Sequence, residues 1–161
     1  MPTSKTRKLS ASLEDYLEAI LNLSAGSKVT RSKDIADALD VSRSSVTGAL
    51  RTLAQKQLVN YKPYGFITLT DPGRALAEKV VRRHNIIKSF FVNVLGVDPT
   101  TAGQAACKAE HAFGPKIVAR LLHFIEFVTA NNNNGVDLAK QFTQFCEANP
   151  NNLPANDKEK I

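Results

Sequence analysis

Apolar residues recur at intervals of three and four along most of the chain, a period that predicts helices. The first such stripe covers residues 12–25, and Ser12 is expected to be its N-cap. Two shorter stripes over residues 30–59 flank a tight turn, where Val41 is expected to be buried and Ser42 to cap the second helix. Two helices around a tight turn, the second opening with small polar residues, are typical of a helix-turn-helix.

The period changes at residues 58–70, where β-forming residues stand on either side of the turn sequence KPYG. They are Val59 and Tyr61 before the turn and Phe66, Ile67 and Leu69 after it. This pattern predicts a two-stranded hairpin. A hairpin directly after a helix-turn-helix is expected to be a wing.

The remaining chain returns to the helical period. A long helix is expected between Thr70 and Gly96, followed by helices over residues 98–113 and 114–130 and a weaker one over 136–145. The predicted fold class is therefore mostly α with a small β-hairpin wing, an N-terminal winged helix-turn-helix followed by a helical domain.

Three domain ranges follow from this pattern. Residues 1–72 are expected to form the winged helix-turn-helix domain and residues 73–145 a helical domain. Residues 146–161, rich in Asn, Pro and charged residues, are expected to form a disordered tail.

Composition narrows the class of protein without identifying it. The 161 residues are 43% hydrophobic and 22% charged, which is ordinary for a soluble globular protein. The longest apolar runs are too short to span a membrane, and the basic N-terminus lacks the apolar stretch of a secretory signal. Two cysteines do not make a disulfide framework, so we expect reduced thiols, a cytoplasmic location and no membrane partner.

The positive net charge favours a polyanionic partner. The net charge is +6, and the first 70 residues hold ten Lys/Arg against six Asp/Glu. A basic helix-turn-helix with a wing favours double-stranded DNA over the simpler interpretation, in which the serine-rich helix start is only a cap. The side chains expected to contact DNA open the two helices, follow along the second, or lie in the wing: Arg31, Ser32, Ser42, Arg43, Ser44, Ser45, Thr47, Arg51, Lys62 and Tyr64.

The segment CKAEHAF indicates a metal site. Cys107, Glu110 and His111 stand at positions i, i+3 and i+4, so a helix would place them on one face. Asp15 and Glu18 have a similar spacing on the first helix, and His84 lies in the middle of the long one; together these six residues could hold one or two divalent first-row ions. Taken singly, each has a plainer interpretation, such as a core cysteine or a carboxylate near a helix start.

The chain resembles the diphtheria toxin repressor family of metal-dependent transcriptional repressors, which includes the manganese transport regulators. The resemblance covers residues 12–128 and is carried by SLEDYLEAI, IADALDVSRSSVTGALRTL, GFITLTDPGRALA, VVRRHNIIKSFF and CKAEHAF. It implies that residues 1–72 are a winged helix-turn-helix DNA-binding domain and that residues 73–145 are a helical metal-binding and dimerisation domain.

The resemblance also implies a hybrid ligand set. Asp15, Glu18 and His84 match the manganese regulators, whereas Cys107 stands where those regulators have a glutamate and matches the iron-responsive branch. Lys88 stands where the iron branch has an ancillary-site glutamate. Since a thiolate is softer than a carboxylate, we expect Fe(II) to be favoured over Mn(II), with Zn(II) or Co(II) able to substitute.

The sequence therefore predicts a homodimeric repressor of metal homeostasis genes that binds operator DNA when loaded with Fe(II) or Mn(II), with neither enzymatic activity nor a small-molecule substrate. The main alternative is a metal-independent winged-helix regulator in which Cys107 senses oxidation. A hydrolytic metalloenzyme is the third possibility. His123 and Cys146 have no assigned role.

Overall fold

A computed structural model describes residues 9–25, 29–132 and 137–150. Its elements run α1 (Ala11–Ser24), α2 (Ser32–Leu39), α3 (Arg43–Gln55), β1 (Val59–Asn60), β2 (Thr68–Leu69), α4 (Asp71–Asn93), α5 (Pro99–Ala109), α6 (Pro115–Asn132) and α7 (Leu138–Ala148). The chain forms two compact units, Met1–Arg82 and Arg83–Ile161, each of which is described by itself. The predicted fold class, mostly α with a small hairpin wing, is confirmed.

Helix α1 begins earlier than the apolar stripe predicts. Its N-cap is Ser10, whose hydroxyl accepts a hydrogen bond from the Leu13 backbone N–H at 3.4 Å. Ser12 therefore lies inside the helix, and its prediction as the cap is wrong. Both serines precede the stripe, so the period alone does not choose between them.

The helix-turn-helix forms as predicted, except at its turn. Ser42 caps α3 by accepting the Ser45 N–H at 3.1 Å, which confirms it as the N-cap. The chain leaves α2 through Asp40, which has a left-handed backbone (φ 51°). Val41 follows it and is 37% exposed, so its predicted burial is wrong. This turn leaves its apolar side chain outside the core.

The wing is a short antiparallel hairpin. Val59 pairs with Leu69 and Asn60 with Thr68. Beyond this pair of strands, Thr30 forms an isolated antiparallel bridge with Ile67, whose N–H donates to the Thr30 carbonyl at 3.0 Å. The wing is thus tied to the segment that leads into α2.

One core holds the first unit together. Buried apolar side chains from α1, both helices of the helix-turn-helix, the wing and the start of α4 meet in it: Tyr16, Leu17, Ile20, Ile35, Ala36, Val46, Leu50, Leu53, Val59, Ile67 and Ala77. This burial fixes the recognition helix α3 and the wing relative to each other.

Thr70 joins the wing to α4. Its hydroxyl donates to the Gln57 carbonyl at 2.8 Å and accepts the Gly73 N–H at 3.1 Å. The helix then continues through the boundary between the units to Asn93. Gly96, with φ 71°, follows its end as expected.

The second unit consists of helices. Asp98 caps α5 by accepting the Thr100 and Thr101 N–H groups. A hydrogen bond from the Thr101 side chain, and then those from the backbone, lower the pKa of the Asp98 carboxyl. The buried apolar residues of this unit are Ile87, Val94, Ala102, Ala106 and Val128. Within the described residues, no helix is long and apolar enough to cross a membrane.

Only the start of the predicted disordered tail, residues 146–161, lies within the described residues. Cys146–Ala148 belong to α7, and residues 151–161, most of the predicted disordered tail, lie outside the described residues. Helix α6 runs through Asn132, the second of four consecutive asparagines at residues 131–134.

Gly73 tests how closely the wing packs on the start of α4. A Cβ at this position would overlap the Leu58 carbonyl, whereas a Cβ on Gly48 of α3 would meet nothing within 4 Å. We expect Gly73→Ala to lower the free energy of unfolding by about 1–3 kcal/mol through overpacking. The matched Gly48→Ala variant should raise it by about 0.5–1 kcal/mol, because alanine favours a helix interior. Urea denaturation measures both, and equal effects of the two variants would contradict the close packing.

Candidate metal centre and nucleic-acid interface

Four of the six predicted metal ligands lie together in the second unit. His84 comes from α4, Cys107 from the last turn of α5, and Glu110 and His111 from the turn that follows. The His84 Nδ1 lies 2.8 Å from the Glu110 Oε2 and 3.7 Å from the Cys107 Sγ. On the other side, the His111 Nε2 lies 3.4 Å from the Glu110 Oε1. We call these four residues the His84–His111 cluster.

The end of α5 sets this geometry. Glu110 keeps helical backbone angles, and its N–H donates to the Ala106 carbonyl at 2.9 Å. Cys107 and Glu110 therefore keep their one-turn spacing although the helix itself ends at Ala109. Gly103 lies against α4, since a Cβ there would stand 3.8 Å from the end of the Lys88 side chain.

Glu110 is the electrostatic centre of the cluster. Its side chain is fully buried, while the flanking His84 and His111 are 14% and 16% exposed. A buried carboxylate is unfavourable unless cations or hydrogen-bond donors surround it. One imidazole lies beside each of its oxygens, and the Cys107 thiol lies 3.7 Å from the His84 Nδ1. A carboxylate, two imidazoles and a thiol form a donor set suited to a divalent first-row ion, so the residues fit such a metal.

The other two predicted ligands belong to the first unit. Asp15 and Glu18 lie one turn apart on α1, and both are partly buried. Asp15 also acts on its neighbour: burial, and secondarily the Asp15 charge, raise the pKa of the Tyr16 hydroxyl. Of the residues without an assigned role, His123 lies on α6, and Cys146 is an exposed free cysteine on α7.

A basic cleft lies between the recognition helix and the wing in the first unit. It has a volume of about 560 Å³ and contains four cationic side chains and no acidic one. Its lining residues are Arg31, Ser32, Lys33, Arg43, Thr47, Arg51, Tyr61, Pro63, Tyr64 and Gly65. We call it the basic cleft.

Six of the ten predicted DNA contacts line the basic cleft. Three others, Ser42, Ser44 and Ser45, are exposed at the start of α3, where their hydroxyls hydrogen-bond to one another at 2.8–2.9 Å. Lys62 instead lines a shallower depression on the wing, with Val59 and Phe66.

The structure adds cleft residues that the sequence analysis did not select. Lys33 and Tyr61 line the basic cleft beside Arg31 and Tyr64. Lys33 could have been found from its charge, because it directly follows the predicted contacts at residues 31 and 32. Tyr61 was assigned only a β-forming role, and the residues around it do not indicate which side of the wing it occupies.

Two family models match the chain. "Iron dependent repressor, N-terminal DNA binding domain" matches residues 8–67, and "Iron dependent repressor, metal binding and dimerisation domain" matches residues 70–137. The first range holds the basic cleft and the second holds the His84–His111 cluster.

Among curated proteins, the chain is 40% identical over 119 residues to an HTH-type transcriptional regulator of Methanocaldococcus jannaschii, covering 73% of this chain and 95% of that one. It is 30% identical over 129 residues to the HTH-type transcriptional regulator MntR of Oceanobacillus iheyensis, covering 80% and 87% respectively. These relatives are transcriptional regulators. They give no support to the alternative in which Cys107 is a thiol sensor in a metal-independent protein.

Among solved structures, a manganese-dependent transcriptional repressor in complex with manganese is 33% identical, with a TM-score of 0.67 over 71% of this chain. The manganese regulator SloR is 30% identical, with a TM-score of 0.64 over the same share. The chain spans about half the length of these two, 53% and 54%. With its DNA-binding domain and its metal-binding and dimerisation domain, the chain belongs to the iron-dependent repressor family of metal-dependent transcriptional repressors.

Proposed function

We propose that this protein is a cytoplasmic, homodimeric repressor of metal homeostasis genes that responds to Fe(II) and, less strongly, to Mn(II). The observation that carries the proposal is the buried Glu110 carboxylate, with His84 at 2.8 Å from one oxygen and His111 at 3.4 Å from the other. A divalent cation bound there supplies the positive charge that a fully buried carboxylate requires. The operator DNA is proposed to bind along the basic cleft and the serine-rich start of α3.

Asp15 and Glu18 are proposed to complete the ligand set. This part of the proposal rests on the resemblance of SLEDYLEAI to the manganese regulators and on the one-turn spacing of the two carboxylates. The full proposed set is Asp15, Glu18, His84, Cys107, Glu110 and His111.

Cys107 supports the proposed preference for Fe(II). Its thiol is accessible and lies 3.7 Å from the His84 Nδ1, so a thiolate can take a place in the coordination shell. Soft sulfur ligands favour later first-row metals over Mn(II), whereas the oxygen ligands still accept Mn(II). Zn(II) and Co(II) are proposed to substitute in vitro.

The proposed coupling of metal to DNA follows from linkage. A dimer must present its two recognition helices about 34 Å apart to enter successive major grooves. In the proposed site, one metal ion takes ligands from α1 and from the segment of α4 and α5. The ion would thereby favour one orientation of the DNA-binding domain relative to the dimerisation domain. Operator DNA must then strengthen metal binding by the same factor, and a coupling of about 1–3 kcal/mol makes a useful switch.

The functional boundary is proposed at residue 72, in the first turn of α4 just after the wing. Residues 1–72 would read DNA, residues 73–145 would bind metal and dimerise, and residues 146–161 would form a tail without a fixed role. The family models, which meet between residues 67 and 70, support a boundary at this place.

Glu110→Gln tests the centre of the proposed site. The substitution removes the negative charge and replaces one of the two carboxylate oxygens by an NH₂ group, so we expect metal affinity to fall by at least about tenfold, or about 1.4 kcal/mol. Anaerobic calorimetry with Fe(II), Mn(II), Zn(II) and Co(II) measures it, and Glu147→Gln on exposed α7 is the control. Metal binding by the Glu110→Gln variant at the parent's affinity would remove the proposal.

Cys107→Ser tests the choice of metal. We expect the ratio of Fe(II) to Mn(II) affinity to fall, because the thiolate contributes more to binding the softer ion. Cys107→Glu, which restores an anionic oxygen ligand, should recover Mn(II) binding in particular. Cys146→Ser is the matched control, since that cysteine is also free and exposed. An unchanged ratio in Cys107→Ser would show that sulfur plays no part in selectivity.

Arg51→Gln tests the proposed DNA surface. Each lost phosphate contact should lower the slope of log K against log salt concentration by about 0.9. The probe is a duplex selected anaerobically from a random-sequence pool with Fe(II) and Mn(II) present, and binding is followed by fluorescence anisotropy. Lys140→Gln on α7 removes the same charge elsewhere and should leave the slope unchanged. Equal slopes for all three proteins would place DNA outside the basic cleft.

A further inference from the structure

The wing and the start of α2 form a cross-strand pair on the surface of the first unit. Thr30 bridges Ile67 in antiparallel register, so the next pair outward is Arg31 and Phe66. Thr30 and Ile67 are buried, and successive side chains of extended segments point to opposite faces. Arg31 and Phe66 accordingly lie exposed, on the side away from the core.

Within this pair, the arginine lies over the aromatic ring. The guanidinium carbon of Arg31 stands 5.3 Å from the centroid of the Phe66 ring, within the range of a cation–π interaction. Arg31 also has its backbone fixed, because its N–H donates to the Asp34 carboxylate at 3.0 Å. Both the backbone and the head group of this arginine are thus held in place.

Phe66 is not itself part of the basic cleft. Arg31 lines that cleft with Lys33, Arg43 and Arg51, whereas Phe66 lines the neighbouring depression that contains Lys62. Phe66 is 55% exposed although it is a large apolar residue. The core is filled by its neighbour Ile67, so core packing does not account for a phenylalanine at position 66.

We propose that Phe66 is a positioning residue that holds the Arg31 guanidinium at the rim of the basic cleft, ready to contact a DNA backbone phosphate. The inference rests on the proposed function in taking duplex DNA as the ligand. An exposed arginine samples many rotamers, and ordering it on binding opposes association. A ring that restricts the side chain beforehand reduces that loss, while the guanidinium keeps N–H groups free to donate to phosphate.

The test uses a random-sequence 30-base-pair duplex at low salt, without added metal. Phosphate contacts carry no sequence information, so this probe reports Arg31 without an operator and without the metal response. We expect Phe66→Leu, which keeps apolar bulk but removes the ring, to weaken binding about two- to fivefold, the range of an exposed cation–π contact. Phe66→Tyr should bind like the parent. Phe145→Leu removes an equally exposed ring (59%) from α7 and should have no effect.

A double-mutant cycle distinguishes a positioning role of Phe66 from a general effect of the substitution on the structure. Arg31→Gln should weaken binding and lower the salt slope by about 0.9. In that background, Phe66→Leu should cause no further loss, because no guanidinium remains for the ring to hold. Urea denaturation of each variant identifies any loss that comes from unfolding.

Two results would overturn the inference: unchanged binding by Phe66→Leu, or the same loss from Phe66→Leu with and without Arg31. Either result leaves the metal experiments on Glu110 and Cys107 untouched. Conversely, operator binding that does not change with metal would contradict the proposed function. The double-mutant cycle on the random-sequence duplex would still decide the role of Phe66.

Discussion

The buried carboxylate of Glu110 is the constraint on which the proposed metal site depends. A charge taken out of water is stable only when positive groups or hydrogen-bond donors replace its hydration. Here those groups are two imidazoles from different segments, His84 of α4 and His111 after α5. Imidazole nitrogens are also ligands for divalent ions, so the arrangement that stabilises the Glu110 carboxylate is the one on which the proposed metal site is built.

In the first unit, the core positions a cationic surface. Its core places α3 and the wing on either side of the basic cleft, and the Thr30–Ile67 bridge joins the wing to the start of α2. Four cationic side chains converge there without a carboxylate among the lining residues. Such a surface suits the phosphate backbone of any duplex, and in the proposed function the exposed serines and Arg43 at the start of α3 are the side chains that select sequence.

Much of this architecture could be predicted from the sequence, because helical period, cap residues and turn residues are local signals. Ser42, Asp98 and Gly96 all stand where their chemistry predicts an element to begin or end. The predictions for Ser12 and Val41 were wrong because the local signal allowed two outcomes. Two candidate caps precede the stripe of α1, and an apolar side chain in a turn can point into the core or into solvent.

For the site, spacing predicted that Cys107, Glu110 and His111 share one face. It did not predict that His84 lies beside them, since that depends on how α5 packs on α4. Residue type alone made His84 a candidate, and the resemblance implied the same role. The cation–π pair of Arg31 and Phe66 depends on tertiary packing and had no signal in the sequence.

Thr70 has a consequence for how such proteins can vary in evolution. Its single hydroxyl joins the end of α3 to the start of α4, and Gly73 beside it has no room for a side chain. The hairpin tip is different, because Tyr64 is fully exposed and the turn closes on itself through the Gly65 N–H and the Lys62 carbonyl. Insertions and deletions among homologues should therefore accumulate at the tip, where they alter the reach of the wing, and should be absent from its base.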